Sequence, residues 1–383
     1  MIRNSRNDNS TLLQLACAIV FILFVFVYVY CFQADLLFMI QHVLSGGTTH
    51  YDKTIGVFVI TIVLYIVQLG MRKLGGLGNI YYALTYIPSL ALLAAVTGVD
   101  SDFEGNNVFK PLNWFVLILV PLYIVISLLL RSSKKIICNT ERSTTLAGIL
   151  WRNLLIMAGL FMAVCIYGNN DMIFHYRLRI ENLLRESSYD KALLIGDKSK
   201  DADINLTMLR VYALSRTEQL GERLFEYPLA GGSNALLPDG KKIRCLYYPE
   251  RMITKNLSIR RKGEMASMDY LLYIQDNGLA MKSVTDYILC GYLLDKDLDA
   301  FVSEIRYKYN LTASSLPKHY KEALILYTHL RANPVLVFHD EVLDADYTDF
   351  QKLEYNYTDK QERKTRVRDA YGDTYWFYYF YHK

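Results

Sequence analysis

The residues whose types and spacing come closest to chemistry lie near the front of the chain. In "DSDFEG", residues 100–105, Asp100, Asp102 and Glu104 alternate as calcium-loop ligands do, with Gly105 at the turning position. Such a loop closes on a bidentate glutamate at its twelfth position, and Pro111 stands there instead, so the cluster reads as a solvated acidic turn. His42, His50 and Asp52 form a second set of two imidazoles and a carboxylate. A metal centre needs three or four ligands in compatible geometry, and this spacing follows no ligand motif. As acid–base groups they are the residues that an enzymatic reading would use. His175, His319, His329, His339 and His382 are scattered. The chain contains no H-E-x-x-H, no G-x-S-x-G and no phosphate-binding glycine loop. "LGGLGN", residues 74–79, reads as a tight turn. No cofactor or metal is implied.

The elements that carry these residues are strongly apolar. Apolar residues make up 52% of the 383-residue chain, high for a protein wholly in water. Five stretches are long and apolar enough to cross about 30 Å of hydrocarbon as helices: 12–32, 55–71, 80–99, 112–130 and 146–167. Pro88 and Pro121 fall inside spans, which bilayer helices tolerate. Stretch 12–32 has too long an apolar core for a cleaved signal peptide and is expected to remain as a span. Arg3, Arg6, Arg72, Lys73, Arg131, Lys134, Lys135 and Arg142 occupy one set of loops, and Lys53 and Lys110 the other. That bias puts the N-terminus in the cytoplasm, and five crossings then put everything after Tyr167 outside it. The risk to this topology is "LLFMIQHVL", residues 36–44, too short to span but able to re-enter.

The chain therefore divides into a transmembrane domain, 1–168, and an extracytoplasmic domain, 169–383. The formal charge of +4 resides in the first, where 11 Lys and Arg face 7 Asp and Glu; the second balances 31 against 31. A neutral tail has no general attraction for phosphates, which argues against nucleic acid as a partner. Cys245 and Cys290 are the tail's cysteines; they could pair in an oxidising compartment, and the sequence leaves that open. The tail's hydrophobic period is helical. "HYRLRIENLLRES" places apolar residues at 178, 180, 183 and 184, and further helix pairs follow with short breaks, with Pro317 suited to a first helical turn.

"YDKAL" at 189–193 and "YKEAL" at 320–324 resemble the start of the second helix of tetratricopeptide repeats, where a small alanine lets two helices pack closely. Ala323, Tyr327 and Pro334 follow the family's alanine–aromatic–proline order, whereas Ala192 is followed by Gly196 and no matching proline. The motifs stand 131 residues apart, which is not a multiple of the 34-residue repeat. The resemblance implies packing roles for Tyr189, Ala192, Tyr320, Ala323 and Tyr327. "YALTYIPSLALLAAVTGV", "LPKHYKEALILY" and "DTYWFYYFY" also give the chain a resemblance to an uncharacterised family of bacterial multi-pass membrane proteins. That resemblance implies architecture and no activity. Five spans before an external domain is similar to the layout of phosphoethanolamine and glycerophosphate transferases, whose external domain needs a threonine nucleophile and an Asp/His metal cluster on an α/β sheet; this tail is helical, short and lacks that cluster.

Between the helix pairs lies an insertion, 229–267, opening on the turn-rich "AGGSNALLPDGKK". It then carries Lys241, Lys242, Arg244, Arg251, Lys255, Arg260, Arg261 and Lys262 against Glu250 and Glu264. Arg260, Arg261 and Lys262 are its candidates for contact with lipid headgroups or an acidic ligand. The closing "YWFYYFY" can either lie at the membrane interface or seal the last helix onto the stack. The expectation is an all-α protein: five transmembrane helices and an α-solenoid-like, tetratricopeptide-like domain. It would sit in the bacterial inner membrane as a scaffold, with the bilayer and a protein or peptide as partners. An envelope transferase built on His42, His50 and Asp52 is the alternative.

Overall fold

The computed structural model describes residues 2–75, 79–103, 108–110, 118, 120–125, 127, 145–259, 263–311 and 316–382. Among them the fold is all-α, with one isolated antiparallel bridge, Val99 to Phe109, and no strand. Most of the predicted fourth span, 112–130, lies outside the described residues, as do Glu104, Gly105, Arg260, Arg261 and Lys262. The chain forms two compact units, Met1–His175 and Tyr176–Lys383.

In the first unit, α1 (Ile2–Val27) widens into one π-helical turn at Tyr28–Phe32, and the short α2 (Ala34–Leu44) follows. Then come α3 (Lys53–Gly75), a 3-10 segment (Asn79–Tyr86), α4 (Ile87–Thr97) and α5 (Leu146–Tyr167). Three helices among the described residues are long and apolar enough to cross a membrane: Ser10–Phe32, Lys53–Leu74 and Leu146–Tyr167. The predicted third span is not a continuous α-helix. Its 3-10 half meets an 11-residue α-helix at Ile87, where Pro88 occupies the first turn. Proline lacks an N–H to donate backwards, so it begins a helix more readily than it continues one. Side chains of neighbouring helices bond both the backbone and the hydroxyls of the tighter segment. Asn153 of α5 accepts the Ala83 N–H at 2.7 Å and donates to the Asn79 carbonyl at 2.9 Å. Gln68 of α3 donates to the Tyr82 and Thr85 hydroxyls, each at 3.1 Å. Other helix faces are bare: on α5, Trp151, Leu155, Met162 and Ile166 form an exposed stripe spaced by four, seven and four residues.

The second unit begins within α6 (Met172–Arg185). Its core helices are α8 (Ile204–Arg216), α12 (Val284–Leu294) and α14 (Lys318–Leu330). Around them lie α7 (Tyr189–Leu193), α9 (Leu220–Arg223), α10 (Glu250–Lys255), α11 (Ser267–Asp276) and α13 (Leu298–Lys308). The last three helices are α15 (Glu341–Asn356), α16 (Lys360–Tyr371) and α17 (Tyr375–Tyr381). Side-chain oxygens cap the starts of many of them: Asp203 accepts from Leu206, Asp297 from Ala300 and Asp359 from Glu362. The first repeat-like motif is a helix of only five residues, and Gly196, at φ +64°, turns the chain soon after it. The tyrosine ring of Tyr176 occupies the place a side chain there would need.

Two buried carboxylates hold the unit's irregular parts. Glu181 on α6 accepts the backbone N–H groups of Leu246, Tyr247 and Tyr248 at 2.7, 2.9 and 2.8 Å, fastening the 229–267 insertion to the helix. Burial pushes its pKa up, while the three N–H groups and the Arg177 guanidinium pull it down. Glu322 on α14 accepts the Tyr375 N–H at 2.7 Å, and its carbonyl accepts the Trp376 indole N–H at 2.8 Å. The aromatic run is therefore sealed onto the helices, with Tyr375 and Trp376 fully buried. Behind it, the Phe225 N–H points at Nε2 of His319, so the ring proton sits on Nδ1 and is donated to Glu322 at 2.8 Å. Cys245 and Cys290 are separate free thiols.

Candidate functional site

Where α8 ends, the chain must turn, and it does so through Glu218 at φ +56°, a conformation usually left to glycine. This turn brings Ser215, Arg216, Glu218 and Leu220 to one wall of an open groove of about 460 Å³. Asn256, after α10, and the Met281–Lys282–Ser283 turn before α12 supply further wall. Asp286 in the first turn of α12, Tyr309 after α13 and Pro317 before α14 complete it. The Met281 N–H donates to the Leu257 carbonyl at 2.9 Å and the Ser283 hydroxyl to the Asn256 carbonyl at 3.0 Å, which ties the two turns together.

Asp286 is the most elaborately held group in the groove. Its Oδ1 accepts the Tyr309 hydroxyl at 2.6 Å and the Tyr320 hydroxyl at 2.9 Å. Burial, and then for Tyr309 the hydrogen bond to this carboxylate, push both phenol pKa values well above the ordinary range. Tyr320 is fully buried, between the rings of Phe301 and Tyr309 at 5.6 Å each, with the Cys290 thiol 3.6 Å from its hydroxyl. It reaches this place because Gly221 has no side chain: a Cβ there would stand 2.5 Å from the ring's Cζ. The groove's cations are already engaged. Arg216 donates to the Asn256 amide oxygen at 2.7 Å and lies 5.1 Å above the Tyr189 ring; Lys282 pairs with Glu218 at 3.0 Å.

Ala192 and Ala323 are buried, and so are Tyr320 and Tyr327; Tyr189 is half-buried, edge-on to Tyr212 at 6.3 Å. The two motifs thus occupy packed helix surfaces, and Tyr320 acts also as a ligand of Asp286. In the first unit, the rings of His42 and His50 stack 6.2 Å apart and each lies against Phe38. Asp52 is used differently: its Oδ1 accepts the N–H groups of Thr54 and Ile55 at 2.9 and 2.8 Å, capping α3. The three do not converge, and among the described residues no group of three or more His, Cys, Asp and Glu is arranged to hold a metal. Asp100 accepts the Asp102 N–H at 3.2 Å within a local turn. Sequence reading missed Asp286, Tyr309 and Glu218. Asp286 is the one charged residue in "VTDYILCGYLL", but an acid in a first helical turn is ordinary, so it carried no distinguishing signal.

Residues 8–248 and 250–382 match the family described as "Family of unknown function (DUF6057)". The chain belongs to this family. DUF6057 matches the expected resemblance to an uncharacterised family and assigns no activity to the groove. No curated protein and no solved structure matches the chain.

Proposed function

We propose that this DUF6057 protein is a membrane-anchored scaffold of the bacterial cell envelope that binds a protein or peptide through its second, helical unit. The observation that carries this reading is the groove around Asp286, to which four separate segments bring polar side chains. Packed helices with small residues at their contacts, such as Ala192, Ala323 and Gly221, are the construction by which solenoid proteins present concave binding surfaces. Membrane anchoring is supported by the three long apolar helices and by the exposed stripe on α5, which suits lipid better than water. The loop charges favour a cytoplasmic N-terminus and an external second unit in the inner membrane. Crosslinking in native membranes followed by pull-down of the full chain tests the binding role: a discrete protein partner is expected, and its repeated absence contradicts the reading. A tag after Lys383 tests the orientation. Labelling only from the cytoplasmic side would falsify it.

A further inference from the structure

We infer that the groove recognises a peptide through a cationic group, a lysine or arginine side chain or a free N-terminus, held by the carboxylate of Asp286. The inference rests on the peptide-binding reading above and adds the chemistry of the ligand.

Three observations lead there. First, the carboxylate is held in advance. Two phenols from different segments, Tyr309 and Tyr320, both bond to Oδ1, while nothing among the described residues donates to Oδ2. A group already fixed loses little freedom when a ligand arrives. Second, the charges are unevenly satisfied. Lys282 has Glu218 and Arg216 has Asn256 and the face of Tyr189, yet no lysine, arginine or histidine among the described residues pairs with Asp286. An acidic ligand would have to displace those partners, whereas a cation meets a carboxylate that lacks one. Third, the groove is open and holds about 460 Å³, room for an extended segment. An ammonium or guanidinium on a carboxylate makes charge-assisted hydrogen bonds, the stronger class in proteins.

The test uses the full chain in lipid nanodiscs and four pools of short fluorescent peptides. All are acetylated at the N-terminus and fixed at the centre as Lys, Arg, Glu or Ala; a fifth pool has a central Ala and a free N-terminus. Fluorescence anisotropy should show the Lys and Arg pools, and the free-amine pool, binding at least about tenfold tighter than the acetylated Ala and Glu pools. Asp286→Asn should erase that preference. Because Asp286 also holds two tyrosines, Lys282→Glu provides a second variant at an exposed position; it should tighten the Lys pool several-fold and weaken the Glu pool. Equal affinities across pools overturn the inference. So does a preference surviving in Asp286→Asn, a Lys282→Glu variant without effect, or no binding of the cationic pools at about 1 mM. If wild type and Asp286→Asn capture the same partner from membranes in equal yield, the cationic anchor is wrong and the scaffold reading stands. If wild type captures nothing, the scaffold reading itself fails.

Discussion

Replacing Glu181 by alanine should loosen the 229–267 insertion from α6 without displacing the helix. Its carboxylate accepts three backbone N–H groups, those of Leu246, Tyr247 and Tyr248. Tyr247 and Tyr248 are buried and Leu246 is half-buried, so water can serve at most one of the three cheaply. A buried donor left without an acceptor costs about 1–3 kcal/mol, and two such donors about 2–6 kcal/mol. Removing a buried carboxylate also relieves its own desolvation, which offsets part of the loss. The net should be about 3 kcal/mol, which is roughly a hundredfold in an opening equilibrium. Glu181→Gln keeps one acceptor oxygen and turns an NH2 towards a third donor, so it should fall between wild type and alanine. Amide hydrogen exchange of the full chain in detergent reads this directly. Leu246, Tyr247 and Tyr248 should exchange faster in the order wild type, Gln, Ala, while amides in α14 hold their rates. Protection at these three amides within threefold of wild type in Glu181→Ala would refute the assigned role.

Trp376→Ala should cost about 3–5 kcal/mol, as for other fully buried large aromatics, and it also removes the indole N–H that bonds the Glu322 carbonyl; thermal unfolding of the second unit checks it. Gly221→Ala drives a methyl into the Tyr320 ring and should lose about 1–3 kcal/mol together with the peptide preference of the groove, read by the same anisotropy assay. The thiols of half-buried Cys245 and buried Cys290 and the buried phenols of Tyr320 and Tyr375 all have pKa values raised chiefly by desolvation. Folding thus keeps them protonated while the unfolded chain releases protons above about pH 8.5 for thiols and 10 for phenols. Stability should be level through neutral pH and fall steadily as the pH rises beyond those values. Melting temperatures measured from pH 7 to 10.5 test this; a rising melting temperature in that interval contradicts it.

Hydropathy alone locates the helices 12–32, 55–71 and 146–167, because a run of apolar side chains needs no partner to be read. Stretch 80–99 is equally apolar, yet half of it is a tighter helix. What decides this is Asn153 and Gln68, which reach it from other helices, and Pro88 within it. Glu181 was in principle readable. It stands three residues from both Leu178 and Leu184, on the apolar face of its helix, where an acid requires internal partners. Its partners, 65 residues on, follow no local pattern. The groove was the least legible part. Asp286 gains its meaning from tyrosines 23 and 34 residues away, and from a glycine on another helix that leaves room for one of them. Residue type and spacing pointed instead to His42, His50 and Asp52, since imidazoles and carboxylates close in sequence suggest chemistry; helix capping claims the Asp52 carboxylate.

Photocrosslinking from the groove in native membranes tests the central proposal most directly. A photoreactive residue in place of Met281, on the groove wall, is compared with one in place of Tyr355, exposed and not part of the wall. Binding through the groove predicts a discrete protein adduct from position 281 and none from 355. No adduct at 281, or the same adducts from both positions, would contradict it.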